Sequence, residues 1–270
     1  MMRTGQWMGT GWGNQCANLL TAWLVVLSMP IAAWAAPEAV GDTVLAATRL
    51  AAASPPIRLP EPARLRYDVT ATMKGLEYHA GADLLWQHDK DSYRLQFEFK
   101  LLSVMLRSQT STGAIGAQGL QPLKFIDRVR SNERIARFDR QKHLVAFSNP
   151  DTPEAALETG AQDRLSIIFQ LAARVAGDPS NYTPGTRLEI QTIGHNDAQS
   201  WHFIVAPEQS LRYQGEPVAT VKLTRELRDA KDQRVEVWFA PSLGFLPLRL
   251  KITQQDGDSI EQHLKAIDPA

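Results

Sequence analysis

The sequence predicts a mainly β protein: a large curved antiparallel sheet or half-open barrel with one main amphipathic helix over about residues 161–176. Three observations carry that expectation. Apolar and polar residues alternate in segment after segment from Arg64 to Ile267, as in strands with one dry and one wet face. One stretch, AQDRLSIIFQLAARVAG from Ala161 to Gly177, repeats instead at helical spacing. Clusters of Gly, Asp and Asn punctuate the alternating segments as hairpin turns do.

The N-terminus sets the compartment. Arg3 is the only charged residue before Glu38; an apolar run from Leu19 to Leu27 follows it, then Met29-Pro30 and the small-residue pattern Ala33-Trp34-Ala35. Residues 1–35 therefore read as a secretory signal cleaved after Ala35, and the protein is expected in the periplasm. The alternative is an N-terminal membrane anchor, since Ala17 to Ala36 has about the 20 residues a spanning helix needs, although Asn18, Thr21 and Pro30 interrupt it. Cys16, the only cysteine, precedes the apolar run, where it is misplaced for lipid attachment. Residues 36–63 are rich in Ala and Pro and read as a linker. Residues 64–270 then form a single β-rich domain without cysteine, which its core alone must hold. Lys and Arg total 29 against 29 Asp and Glu, a balance that gives no electrostatic reason to expect nucleic acid as a partner.

Leu65, Tyr67, Val69 and Ala71 define the first strand, and Tyr78, Ala80, Ala82, Leu84 and Trp86 the second, after a turn at Gly75. Past the turn His88-Asp89-Lys90-Asp91 comes SYRLQFEFKLLSVMLRS, Ser92 to Ser108. Tyr93, Leu95, Phe97 and Phe99 alternate with polar residues; then Leu101, Leu102, Val104, Met105 and Leu106 break the alternation, as expected of a strand facing an apolar partner. These three segments should form an antiparallel meander. Gly113, Gly116 and Gly119 suggest turns or bulges, and hairpin arms follow at Ile135 to Phe138 and Leu144 to Phe147.

In the helical stretch Leu165, Ile168, Phe169, Ala172 and Val175 share one face, and Asp163 and Ser166 are placed to satisfy backbone groups of the first turn. Gly177 is a stop signal before Pro179. Strand patterns resume around Leu188–Thr192, Trp201–Val205, Ala219–Leu227, Val235–Phe239, Leu248–Ile252 and Ile260–Ile267, for about ten or eleven strands in all.

No catalytic or metal-binding constellation is visible. Gly-x-Ser-x-Gly is absent, and the six histidines, at 79, 88, 143, 195, 202 and 263, show no ligand spacing and read as surface residues. Glu77 and Asp83 could share a face and Glu226 could approach Glu236 across a hairpin, but acids scattered on wet strand faces leave a polysaccharide or cell-wall hydrolase without support. The aromatics are more informative. A helix of about four turns covers only a strip of so large a sheet, since each turn rises about 5.4 Å. Phe97, Phe99, Leu102, Val104, Leu106, Trp201 and Phe203 are therefore expected to line an apolar ligand site.

The order Tyr67, Gly81, Trp86, Tyr93, then Gly119-Leu120-Gln121-Pro122, Asp163-Arg164-Leu165-Ser166, Val237-Trp238-Phe239-Ala240-Pro241 and Leu246-Pro247-Leu248-Arg249 resembles the bacterial envelope proteins of domain-of-unknown-function family 3108. The resemblance covers about Arg64 to Ile267; the family has no established catalytic residues, so none carries over, and no cofactor is expected. It also implies an architecture similar to the half-open barrels of the lipoprotein-carrier group, which hold acyl chains. The expectation is thus a non-enzymatic binder of a lipid or acylated peptide, with an assembly or scaffold protein that contacts other envelope proteins as the alternative.

Overall fold

The computed structural model describes residues 56–101, 104–229 and 232–270. Strands β1 (Ala63–Met73), β2 (Leu76–His88), β3 (Ser92–Leu101), β4 (Val104–Gly116), β5 (Gly119–Val129), β6 (Asn132–Asp139) and β7 (Leu144–Phe147) form an antiparallel meander, extended by the two-residue β8 (Ala155–Ala156). Then come β9 (Gln162–Asp163), helix α1 (Ser166–Gly177), β10 (Arg187–Ile193), β11 (Ala198–Val205), β12 (Gln209–Tyr213) and β13 (Glu216–Arg225). The chain ends with β14 (Arg234–Ala240), β15 (Leu246–Thr253) and β16 (Ser259–Asp268). β1 pairs with β16, from Arg64 opposite Asp268 to Thr72 opposite Ser259, and this joins the two halves of the chain into one sheet. The strand order runs from β8 through β1 and β16 to β9, with β12 attached to β13 alone. Among the described residues the end strands β8 and β9 do not pair, so the sheet is an open, curved half-barrel.

Among the described residues sixteen strands replace the ten or eleven expected, and the stretch from Ser92 to Ser108 shows one reason. Ser92 to Ser108 is two strands: β3 ends at Leu101, the chain reverses, and β4 starts at Val104, with Leu101 opposite Val104. The alternation breaks there because the chain turns back, not because one strand dives into an apolar layer. Gly113 marks a bulge in β4, where the register shifts between Thr112 and Gly113 and a Cβ would lie 2.2 Å from the Gln121 carbonyl oxygen.

Helix α1 begins at Ser166 rather than near residue 161. Asp163 Oδ1 accepts from the backbone N–H of Leu165 at 2.9 Å and of Ser166 at 2.8 Å, while Asp163 N–H donates to Ser166 Oγ at 2.9 Å. This reciprocal exchange satisfies donors that a helix start leaves open. All residues of α1 except Arg174 and Gly177 are buried, so the helix plugs one end of the half-barrel instead of lying on its surface. There Phe169 meets Trp86 with ring centroids 4.7 Å apart, and Trp86, Phe125, Phe169 and Phe203 have essentially no exposed surface. Burial of each such ring contributes about 1.5–3 kcal/mol.

Part of the segment read as linker rests on this plug. Trp86 Nε1 donates to the Pro60 carbonyl at 2.8 Å, and Arg58 N–H donates to the Ala173 carbonyl at 3.0 Å. No helix among the described residues is long and apolar enough to cross a membrane. The signal or anchor expected over residues 1–35 lies outside the described residues.

The bulge makes the backbone at Gly113 intolerant of a side chain. Gly113→Ala is expected to lower stability by about 1–3 kcal/mol in urea unfolding. Gly81→Ala, where a Cβ meets nothing within 4 Å, is expected to stay within about 0.5 kcal/mol of the parent.

Candidate functional site

The inward positions of β3 run Tyr93, Leu95, Phe97, Phe99. The first two are buried under α1's end of the sheet, whereas Phe97 and Phe99 are half-buried at the margin of the core. Directly paired residues in an antiparallel ladder share a face. Phe97 pairs with Gln109 and Phe99 with Arg107 on β4; Gln109 pairs with Asp127 on β5, and Asp127 with Arg134 on β6. The end of the half-barrel away from α1 is therefore lined by two rings beside a row of polar side chains.

The polar row is organised around a buried carboxylate. Arg107 holds Asp127 with a two-pronged contact, Nε to Oδ1 at 2.8 Å and Nη2 to Oδ2 at 2.7 Å. From the β10–β11 turn, His195 places Nδ1 3.4 Å from Asp127 Oδ2, and Arg134 Nη1 lies 2.7 Å from His195 Nε2. Guanidinium has no lone pair to offer, so Nε2 accepts and the ring proton sits on Nδ1, pointed at Asp127. Burial pushes the Asp127 carboxyl up, but the Arg107 charge and the hydrogen bonds from His195 and Arg107 outweigh it and hold it well below the usual carboxylate range. His195, read from sequence as a surface residue, is 3% exposed.

A second charged layer adjoins the same turn. Arg164 donates to Asp197 at 2.7 Å and Arg225 pairs with Asp232 at 2.9 Å. Both guanidiniums lie over the ring of Trp201, Arg225 with Cζ 4.3 Å from the centroid and Arg164 5.7 Å. Trp201 and Phe203, expected on a ligand-lining surface, are packed into the core, Trp201 5% and Phe203 0% exposed. Their strand parity points them inward, and the cations and strands around them cover that face. Val104 is 60% exposed and Leu106 half-buried at the β3–β4 hairpin tip; Leu102 lies outside the described residues.

Asp163 has a second task. Its Oδ2 accepts from Ser111 Oγ at 2.5 Å, and Tyr93 hydroxyl meets the same Ser111 oxygen at 2.9 Å. With Ser111 donating to the carboxylate, Tyr93 donates to Ser111. Asp163 and Ser111 are both fully buried, so this relay ties the helix start to β3 and β4 without access to solvent. Burial pushes the Asp163 carboxyl up to about 6, against hydrogen bonds from Ser111, Ser166 and Leu165 that favour the anion.

Among the acids considered for hydrolysis, Glu226 pairs with Arg187 at 2.9 Å and Glu236 with Lys222 at 2.6 Å, so each faces a cation rather than the other. Sequence reading missed Arg107, Asp127, Arg134 and His195. The available signal was parity: Asp127 stands between Phe125 and Val129 at the dry positions of β5.

Comparison with known proteins places these observations. The family described as "Protein of unknown function (DUF3108)" matches residues 66–265. A β-barrel-like protein of domain of unknown function DUF1849 from Brucella abortus is similar in structure, with TM-score 0.54 and 15% identity over 79% of this chain and 99% of its own; the likeness is one of fold. Two more distant structures are a DUF1329 family protein from Desulfovibrio piger and an outer membrane lipoprotein-sorting protein domain from Vibrio parahaemolyticus. The first has TM-score 0.30 and 10% identity over 78% of this chain and 86% of its own. The second has TM-score 0.27 and 8% identity over 76% and 84%. No curated protein matches the chain.

Two pH windows follow from the two carboxyls. The folded-state value of Asp163 lies above its ordinary 3.8, so its ionisation removes stability as pH rises from about 4 to about 6, by roughly 3 kcal/mol in total. Asp163→Asn keeps an acceptor for the Leu165 and Ser166 amides and is expected to flatten that slope in denaturation measured from pH 4 to 7. Asp127 is shifted the other way, so its stabilisation is present above the ordinary carboxylate range and fades only as pH falls below about 4. Asp127→Ala strands Arg107 beside His195 and is expected to cost about 3–5 kcal/mol in the same assay at pH 7.

Proposed function

The chain belongs to the DUF3108 family of proteins of unknown function, and from that premise we propose that it is a periplasmic, non-enzymatic protein that binds an amphipathic envelope ligand, a lipid or acylated peptide. The binding site is the end of the half-barrel that α1 leaves open. One observation carries the reading: Phe97 and Phe99, large rings on the concave face, keep exposed surface directly beside the polar row of Arg107, Asp127 and Arg134. Trp86, Tyr93, Phe125, Trp201 and Phe203 of the same sheet are sealed, whereas Tyr78 and Phe147 keep some exposure at other margins. An apolar chain laid on Phe97 and Phe99 leaves its polar head against the partly exposed guanidiniums of Arg107 and Arg134. Val104 and Leu106 stand at the adjoining hairpin and form the rim.

Export through a cleaved signal over residues 1–35, and a tether over the residues before Pro56, suit a protein that works close to the membrane. The scaffold alternative draws less support from the sheet ends, since β8 and β9 have two residues each and offer little edge for strand addition.

Native mass spectrometry on protein exported in its own or a closely related host, purified without detergent and then extracted with organic solvent, tests the proposal. A co-purifying lipid or acylated species is expected, and Phe99→Asp is expected to lower its occupancy about tenfold, the loss of one good aromatic contact. An unliganded mass in both proteins, with thermal unfolding unchanged, would overturn the reading in favour of a scaffold.

A further inference from the structure

The place where the half-barrel fails to close holds a second feature. Between β5, the β6–β7 turn and the β8–β9 connection lies a cleft of about 160 Å³, lined by Gln118, Leu120, Arg140, His143, Glu158 and Gly160 among others. Arg140 donates one N–H to the Pro122 carbonyl at 3.2 Å, and its Nε is buried without a partner. Behind Gly160, Arg174 of α1 brings Nη2 within 3.8 Å of where a Cβ on that glycine would stand, and its Nε is likewise buried and unpartnered. Gly160 has φ +79° and no side chain, and the position a Cβ would take is approached by Arg174 Nη2 and by Gln118 Oε1 at 3.9 Å, so this second guanidinium stands just behind the lining.

Other deeply placed guanidiniums have carboxylate partners. Arg107 faces Asp127, Arg164 faces Asp197, Arg225 faces Asp232 and Arg249 faces Glu261. Arg140 and Arg174 form no ion pair with a carboxylate among the described residues, although burial works against the charge of both. Glu158, the acid of the lining, is exposed and points no ion pair at them. Both side chains are only partly exposed and each has its Nε sealed without a partner, so an anion arriving from elsewhere would be favoured there.

We propose that this seam cleft is a binding site for an oxyanion group, a phosphate or carboxylate, gripped by the Arg140 fork and drawn in by Arg174. The cleft has room for one such group and not for a chain. It stands apart from Phe97 and Phe99, so the proposal is independent of the amphipathic site at the open end.

Inorganic phosphate titrated against the full-length chain, followed by phosphorus NMR line broadening and by thermal shift, reads the site directly. Saturable broadening is expected, weakened about tenfold in Arg140→Gln and less in Arg140→Lys, which keeps the charge but loses the fork. Co-sedimentation with phosphatidylcholine vesicles, with and without phosphatidylglycerol, separates a free oxyanion from a lipid headgroup: retention that needs phosphatidylglycerol and disappears in Arg140→Gln identifies the headgroup. Phosphate binding without vesicle retention identifies a soluble ligand. If phosphate neither broadens nor stabilises, or does so equally in the parent and Arg140→Gln, the proposal fails. Phe99→Asp is expected to leave phosphate binding unchanged, which keeps this test distinct from that of the open end.

Discussion

The half-barrel depends on how its two ends are held together without pairing. An open sheet of this length presents unpaired backbone groups at each end, and buried backbone groups need partners. Here side-chain amides supply them. Gln191 on β10 donates to the Ala156 carbonyl at 2.8 Å and accepts from Glu158 N–H at 2.9 Å, a two-point clip from one end of the sheet to the other. Gln162 donates to the Leu120 carbonyl at 2.7 Å. Gln170, in the middle of α1, accepts from Leu120 N–H at 2.8 Å and donates to the Gln118 carbonyl at 2.7 Å. Gln191 thus clips the two end regions together, Gln162 ties β9 to β5, and Gln170 ties the helix to the β4–β5 turn.

Closure by side chains has consequences that a backbone ladder lacks. It lets α1 enter one end as a plug, because Gln170 gives a buried helix a polar link to the β4–β5 turn. It fixes β9 close enough to β10 for Asp163 to reach both the helix start and Ser111. It also leaves a gap at the seam, where Arg140 and Arg174 sit without carboxylates. Plug and seam belong to one arrangement.

That opposite end is held by charge rather than by hydrophobic filling. His195 reaches Asp127 from a turn far away in the sheet order and is met on its other nitrogen by Arg134, so this group of side chains links β4, β5 and β6 to the β10–β11 turn. Ion pairs placed this way fix orientation more than they add stability, because desolvation offsets much of the attraction. What they provide is a rigid polar wall beside Phe97 and Phe99. An amphipathic lining needs such a wall, since a purely apolar mouth would collapse or aggregate.

The sequence by itself determined the mainly β class, the single helix and the antiparallel meander that opens the sheet, and marked Gly113 among the turn or bulge positions, because alternation, capping and turn chemistry are local. Tyr93, Leu95, Trp86 and Phe169 were legible as core for the same reason. It also carried the family resemblance, whose motif Asp163-Arg164-Leu165-Ser166 proved to be the hinge between helix start and sheet. Local pattern misled where two outcomes share one signature: the apolar run Leu101 to Leu106 marks a hairpin, and the inward aromatics Trp201 and Phe203 are sealed while Phe97 and Phe99 are not. Only the tertiary structure decided those cases, since exposure on the concave face depends on which side chains and strands come to lie against it. It alone brought Asp127 to His195 and left Arg140 and Arg174 without a carboxylate partner among the described residues, because the curvature of the sheet, and no sequence spacing, sets which side chains meet across it.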